Sequence, residues 1–316
     1  SGYFDDELLT SFTESTGYKV VADIYDSNET MLAKLQAGGG GAYSIIYPSD
    51  YMVQQMIELD LLEPLDKASI KGLGDLLPNF QSPVYDADNA HSVPASWGTT
   101  GLAYNPATLN GVEPTDWNYL WDNKAKLSRR VTLINDPREV LGAVLRSLGY
   151  SYNSTDAKQI EEAYKRLVEI KPVITNFTTD GWRDLLITGD VFISMGYSVD
   201  AIDVIAEDSK IKYLIPASGS SIWTDTMAIP KSAPNRDAAY AWINFMLEPA
   251  NATKIVERLK FATPIKPAID LLPPDLKANT NLFPPAEILA KCEGIAPVDS
   301  KIAELYDRYW TELTSA

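Results

Sequence analysis

Short β-rich runs alternate with amphipathic helical stretches through the first part of this chain, and that alternation limits its possible folds more than any other feature. Residues Asp5 to Thr16 place Leu8, Leu9 and Phe12 on one helical face, and Gly17 closes that helix. Tyr18 to Tyr25 is a short β-rich run, and Asp26 and Glu29 have capping-box spacing ahead of a helical stretch, Thr30 to Gln36. A four-glycine loop, Gly38 to Gly41, leads to Tyr43–Tyr47, which is apolar nearly throughout, as a strand buried on both faces is. Ser49-Asp50-Tyr51 then turns into a helix carrying Met52, Val53, Met56, Ile57 and Leu61. Strands and helices alternating at this length imply α/β architecture with parallel strands. Ligands in such sheets sit where a strand's carboxyl end enters the next helix, which is where Ser49 and Tyr51 fall. The competing reading, N-capping by Ser49 and core packing by Tyr51, carries equal weight.

From Pro94 the pattern changes to PASWGTTGLAYNP, small residues with short β-rich pieces, as a connection between two lobes has. A strand at Val131 to Ile134, helices at Val140 to Leu148 and Asp156 to Ile170, and strands at Val191 to Met195 and Lys212 to Ile215 follow. The last helix aligns Ile302, Leu305, Tyr306, Tyr309, Trp310 and Leu313 in one apolar stripe, which is core packing. A length of 316 residues exceeds a usual single core, so two domains are expected.

Composition removes several function classes. The net charge of −16, from 27 Lys and Arg against 43 Asp and Glu, disfavours nucleic-acid and anionic-membrane surfaces and draws cations. A single cysteine, Cys292, and a single histidine, His91, leave no intrachain disulfide, no Cys- or His-based metal cluster and little room for a Ser-His-Asp triad. No apolar run reaches the roughly 18 residues of a membrane-spanning helix, and no leader precedes Ser1, so a signal peptide is expected to have been removed. Four Asn-x-Thr sequons, at Asn28, Asn153, Asn176 and Asn251, read as chance, Asn28 as helix-start chemistry. No cofactor and no catalytic group is expected.

The segment Ile222 to Pro230, IWTDTMAIP, carries the most chemistry. Trp223 and Asp225 are two apart, so in an extended segment both side chains leave one face. An indole beside a carboxylate suits an alkylammonium ion, because the ring quadrupole attracts the cation while the carboxylate accepts its N–H groups. A buried Trp next to a solvated Asp is the plainer alternative. Asp136-Pro137-Arg138-Glu139 reads first as a capping box with Pro at N1, and compatibly as two carboxylates at the mouth of a strand–helix loop. Three carboxylates with several aromatics suit a ligand with two or more ammonium groups joined by methylene chains.

Five segments in order, STGYKV (Ser15 to Val20), SNETMLAKL (Ser27 to Leu35), YPSDYMVQQM (Tyr47 to Met56), NDPREVLGAVLRSLGYS (Asn135 to Ser151) and IWTDTMAIP, resemble the spermidine/putrescine-binding proteins of bacterial ABC importers. The resemblance implies a type II-like periplasmic-binding-protein fold: two α/β lobes, each a mostly parallel sheet flanked by helices. It places residues 1–100 with 225–269 in one lobe and 101–224 with 270–316 in the other, with crossings near residues 100, 225 and 269. It implies a polyamine held in an interlobe cleft and passed to a membrane permease by a periplasmic or otherwise extracytoplasmic monomer, free or lipid-anchored. Asp136, Glu139 and Asp225 then hold ammonium groups, Trp223, Tyr197, Tyr51 and Phe261 line the methylene path, and Ser49 and Tyr3 add contacts. Tyr197 stands where the family's spermidine binder has Trp, Phe261 where it has Tyr, and the family's late glutamine has no counterpart at Cys292 to Val298. The family's first strand, central in its lobe and ending in Trp, would precede Ser1; a lobe without it is expected to be poorly stable. The rivals are the same fold binding an amino acid or γ-aminobutyrate, with Arg138 taking the carboxylate, and more remotely a glycosidase using Asp136 and Asp225.

Overall fold

The structure is a computed structural model that describes residues 5–25 and 28–315. Tyr3 and Asp26, and with Asp26 the capping box expected there, lie outside the described residues. The chain divides into two compact units, Ser1–Trp97 with Thr224–Ala278 and Gly98–Trp223 with Asn279–Ala316.

Among the described residues seven strands are formed: β1 (Ser92–Tyr104), β2 (Val131–Leu133), β3 (Ile174–Phe177), β4 (Ile193–Tyr197), β5 (Lys212–Leu214), β6 (Ser221–Ala228) and β7 (Glu293–Gly294). Their order is β3-β2-β4-β1-β6-β7, with β5 also on β1. In the second unit β2 pairs in parallel with β3 and with β4, while β1 meets β4 and β5 antiparallel. Parallel neighbours need crossovers, and the helices Pro137–Ser147 and Ala157–Glu169 supply the one from β2 to β3. Both helices bury an apolar face: Val140, Leu141, Val144 and Leu145 on the first, Ile160, Ala163 and Leu167 on the second. The terminal helix Ser300–Ser315 adds Tyr306, Tyr309 and Leu313 to the same core, with Ile302, Leu305 and Trp310 packed at its margin, so the apolar stripe is packing surface. Each such fully buried side chain contributes about 1.5–3 kcal/mol.

The first unit contains the helices Asp6–Thr16, Asn28–Gln36, Asp50–Glu58, Arg236–Leu247 and Pro249–Leu259; the second and third of these share a core with Leu62 and Ala228 through Met31, Met52, Val53 and Met56, and Phe12 of the first packs on Trp242 of the fourth. Here two expected strands are not formed. Tyr18–Tyr25 is extended but enters no ladder, and Val21 and Ile24 are 86% and 66% exposed. In Tyr43–Tyr47 only Ile46 pairs, through mutual main-chain bonds with Ala228 of 2.9 and 3.0 Å. A strand buried on both faces and paired on one edge needs a second edge partner, and among the described residues neither segment has one. Both line an apolar groove of about 430 Å³ with Phe12, Met31 and Trp242.

Candidate functional site

In the second unit the site grows from the start of the Pro137–Ser147 helix. Asp136 is its N-cap: the carboxylate accepts the N–H of Arg138 at 2.7 Å and of Glu139 at 3.0 Å, and Pro137 occupies N1. The second half of a capping box would turn Glu139 back on Asp136. Instead Glu139 is buried, 3% exposed, and accepts from Thr100 Oγ1 (3.1 Å), Tyr152 Oη (2.7 Å) and Ser221 Oγ (2.8 Å). Burial, and after it the charge of Asp136, pushes the Glu139 carboxyl up to about 7, against the pull of the three hydroxyls.

Room for this arrangement comes from a glycine. A Cβ on Gly142 would lie 2.1 Å from Tyr152 Cε1, so only glycine lets the phenol cross the helix to reach Glu139. A similar approach sets the indole of Trp223, because a Cβ on Gly98 would lie 2.1 Å from Trp223 Cζ2. Trp223 and Tyr197, at the end of β4, meet edge to face with centroids 6.0 Å apart and planes at 80°. Arg138, the basic residue between the two acids in sequence, is turned to other work. Its guanidinium donates to Ala296 O (2.9 Å) and Asn153 Oδ1 (3.3 Å) and lies 4.9 Å over the Tyr306 ring.

In the first unit Ser49 precedes the Asp50–Glu58 helix in extended conformation, but its hydroxyl makes no cap bond. Ser49 Oγ donates to Asp225 Oδ1 at 2.7 Å, and the two residues also form an antiparallel bridge. Capping is therefore not what Ser49 does. Asn28, at the start of its helix, spends its whole side-chain amide here. Its Nδ2 donates to Ser49 Oγ (3.0 Å) and Tyr51 Oη (3.1 Å), and its Oδ1 accepts the Ser49 N–H (3.1 Å). Tyr51 in turn donates to Glu29 Oε1 at 3.0 Å, while its ring packs on the core. Tyr25 donates to Tyr47 O, and burial, then the Asp225 charge, pushes its hydroxyl up. Phe261 stands apart from this hydrogen-bonded group, half-buried in a crevice with Ala95, Ser96 and Met246.

Of the residues expected to form one site, the structure links Ser49 with Asp225 and, through Asn28, with Tyr51, sets Glu139 near the capping Asp136, and packs Tyr197 on Trp223. Sequence reading misses Thr100, Tyr152 and Ser221, which reach Glu139 only through tertiary contacts, and the bonds of Asn28 to Ser49 and Tyr51. Gly142 left a trace: a glycine inside an apolar helix costs about 1 kcal/mol relative to Ala and signals close approach. No group of three or more His, Cys, Asp or Glu able to hold a metal ion occurs among the described residues.

Comparison with known proteins bears on the family and the fold. Residues 7–284 match the family described as bacterial extracellular solute-binding protein. The chain is 33% identical over 311 residues to the spermidine/putrescine-binding periplasmic protein of Salmonella typhimurium, covering 98% of this chain and 88% of that one. It is 31% identical over 322 residues to the putrescine/cadaverine-binding protein of Pseudomonas aeruginosa, covering 98% and 90%. Its fold is similar to that of the spermidine/putrescine ABC transporter substrate-binding protein PotD from Streptococcus pneumoniae, with a TM-score of 0.93, 37% identity, and coverage of 99% and 96%. The chain belongs to the bacterial extracellular solute-binding protein family.

Proposed function

We propose that this protein captures a polyamine of the spermidine/putrescine class outside the cytoplasm and delivers it to the membrane permease of an ABC importer. One observation carries the reading. Half-buried Asp136 stands beside the buried carboxyl of Glu139, while Arg138, placed between them in sequence, is bound to Ala296, Asn153 and Tyr306. Among the described residues neither acid is paired with a cation, and an acid at a helix start is suited to an incoming one. The reading gives Asp136, backed by the buried charge of Glu139, one ammonium group, and Asp225, oriented by Ser49, another. The edge-to-face pair of Tyr197 and Trp223 offers ring faces to methylenes and cations. Tyr51, Phe261 and Tyr3 belong to the same proposal as lining residues. Relatives named for spermidine, putrescine and cadaverine support it, since those ligands join ammonium groups by methylene chains.

Magnitudes are sufficient. Charge-assisted hydrogen bonds contribute about 1.5–3 kcal/mol each and desolvated cation–π contacts roughly 0.5–2 kcal/mol, so two or three anchored amines offset ligand ordering and give about micromolar or tighter binding. An amino acid or γ-aminobutyrate would need a cation for its carboxylate, and Arg138, the residue suited by sequence, is engaged elsewhere. Relatives bearing the name of binding proteins favour a binding role over glycoside hydrolysis. No helix among the described residues is long and apolar enough to cross a membrane. The test is calorimetric titration of putrescine and spermidine into wild type and Asp225→Ala. A loss of about tenfold or more in affinity is expected; equal affinity would sink the assignment of Asp225.

A further inference from the structure

Asp50 is the acid that the reading above leaves unused. It is only 4% exposed, lies one residue beyond Ser49, and accepts the N–H of Thr224 with Oδ2 at 3.2 Å and its neighbour Tyr51 N–H with Oδ1 at 2.8 Å. Thr224 immediately precedes Asp225. On the far side of Asp225, Thr226 donates its N–H (2.9 Å) and its hydroxyl (2.8 Å) to Pro48 O. Three consecutive residues, Pro48, Ser49 and Asp50, therefore hold three consecutive residues of β6. Main-chain pairing cannot continue past Ser49 because the chain turns into a helix at Asp50, and the Asp50 side chain supplies the acceptor that the Thr224 N–H would otherwise lack.

An amide could accept that bond equally well, so the charge needs its own account. Next to it lies Tyr85, 9% exposed, whose hydroxyl is enclosed. Burial and then the charge of Asp50, ahead of those of Asp86 and Asp225, push this phenol up, while the Thr224 side chain acts the other way. Asp50 thus stands in dry surroundings where its charge is poorly screened and reaches Asp225 more strongly than through water.

We infer that Asp50 is a positioning residue for amine binding: it fixes the main chain that carries Asp225 and adds a second, poorly screened negative charge behind it. The inference rests on the proposed polyamine site. It is tested with putrescine titrated at about 50 and 300 mM salt into wild type, Asp50→Asn, Asp50→Ala and Asp225→Ala, each also melted thermally. Asp50→Asn keeps the acceptor, so its melting temperature should stay near wild type while its affinity falls about three- to tenfold and its dependence on salt becomes shallower. Asp50→Ala should lose more affinity and also melt earlier. Wild-type affinity and salt slope in Asp50→Asn would overturn the inference and leave the site standing. Failure of wild type to bind putrescine or spermidine, or an unaffected Asp225→Ala, would overturn the site itself.

Discussion

Glu139 shows how far a residue's role departs from its position in a motif. The capping-box spacing was legible, and Asp136 caps the helix, but the Glu139 carboxylate is taken by Thr100, Tyr152 and Ser221. Those partners lie 39, 13 and 82 residues away, beyond the reach of any spacing argument. The shift to about 7 has two consequences with defined sign. The ordinary value is 4.5, so the folded ligand-free protein binds more protons than the unfolded chain between the two. This contribution to stability is full below about pH 4.5 and is lost as pH rises through about 7. The melting temperature of ligand-free wild type should therefore fall from pH 5 to 7.5 more than that of Glu139→Gln; parallel curves would contradict the account. A bound cation favours the ionised form, so polyamine binding near pH 7 should release a fraction of a proton. Titrations in buffers of different ionisation enthalpy read that fraction directly, and Glu139→Gln should abolish it. Gly142 makes a second residue-level prediction. Ala in a helix interior usually gains about 1 kcal/mol over Gly. Here the added Cβ meets Tyr152, which is pinned by its own bonds to Glu139, and overpacking costs about 1–3 kcal/mol. Gly142→Ala should thus lower stability in urea, and an increase would show that Tyr152 moves freely.

Elements were legible where the signal was local. The helices Asp6–Thr16, Ala157–Glu169 and Ser300–Ser315 follow their apolar periodicity and caps, because a helix satisfies its own main chain. Strands depend on neighbours, and that is where sequence reading ran out. Tyr18–Tyr25 has the composition of a strand, yet its pairing is decided by what lies beside it, and no ladder partner occurs among the described residues. β4, by contrast, has partners on both edges, with Ile193 opposite Val131 on β2 and Tyr104 on β1. Hydrogen exchange of the whole protein should separate these cases. Amides at 98–104 and 193–197 should exchange at least about a hundredfold more slowly than those at 18–25. Equal protection would mean that Tyr18–Tyr25 is paired in solution.

For the whole molecule, composition excluded more than it specified. A charge of −16 agrees with a cationic ligand but equally with simple solubility, and only the roles proposed for Asp136, Glu139 and Asp225 turn it into chemistry. Family membership was legible because five matching segments keep their order along the chain; no single one of them would have sufficed. The charge does have a kinetic consequence. Association with a polyamine should slow several-fold between about 50 and 500 mM salt, since steering acts over a Debye length of only about 10 Å at 0.1 M. The central claim is that the acids hold a ligand with more than one ammonium group and no carboxylate. Native mass spectrometry of the purified protein with an equimolar mixture of putrescine, spermidine, γ-aminobutyrate and free amino acids tests it most directly. One polyamine per chain should be retained, and Asp225→Ala should lose it; retention of γ-aminobutyrate or an amino acid in its place, or of no amine at all, would contradict the account.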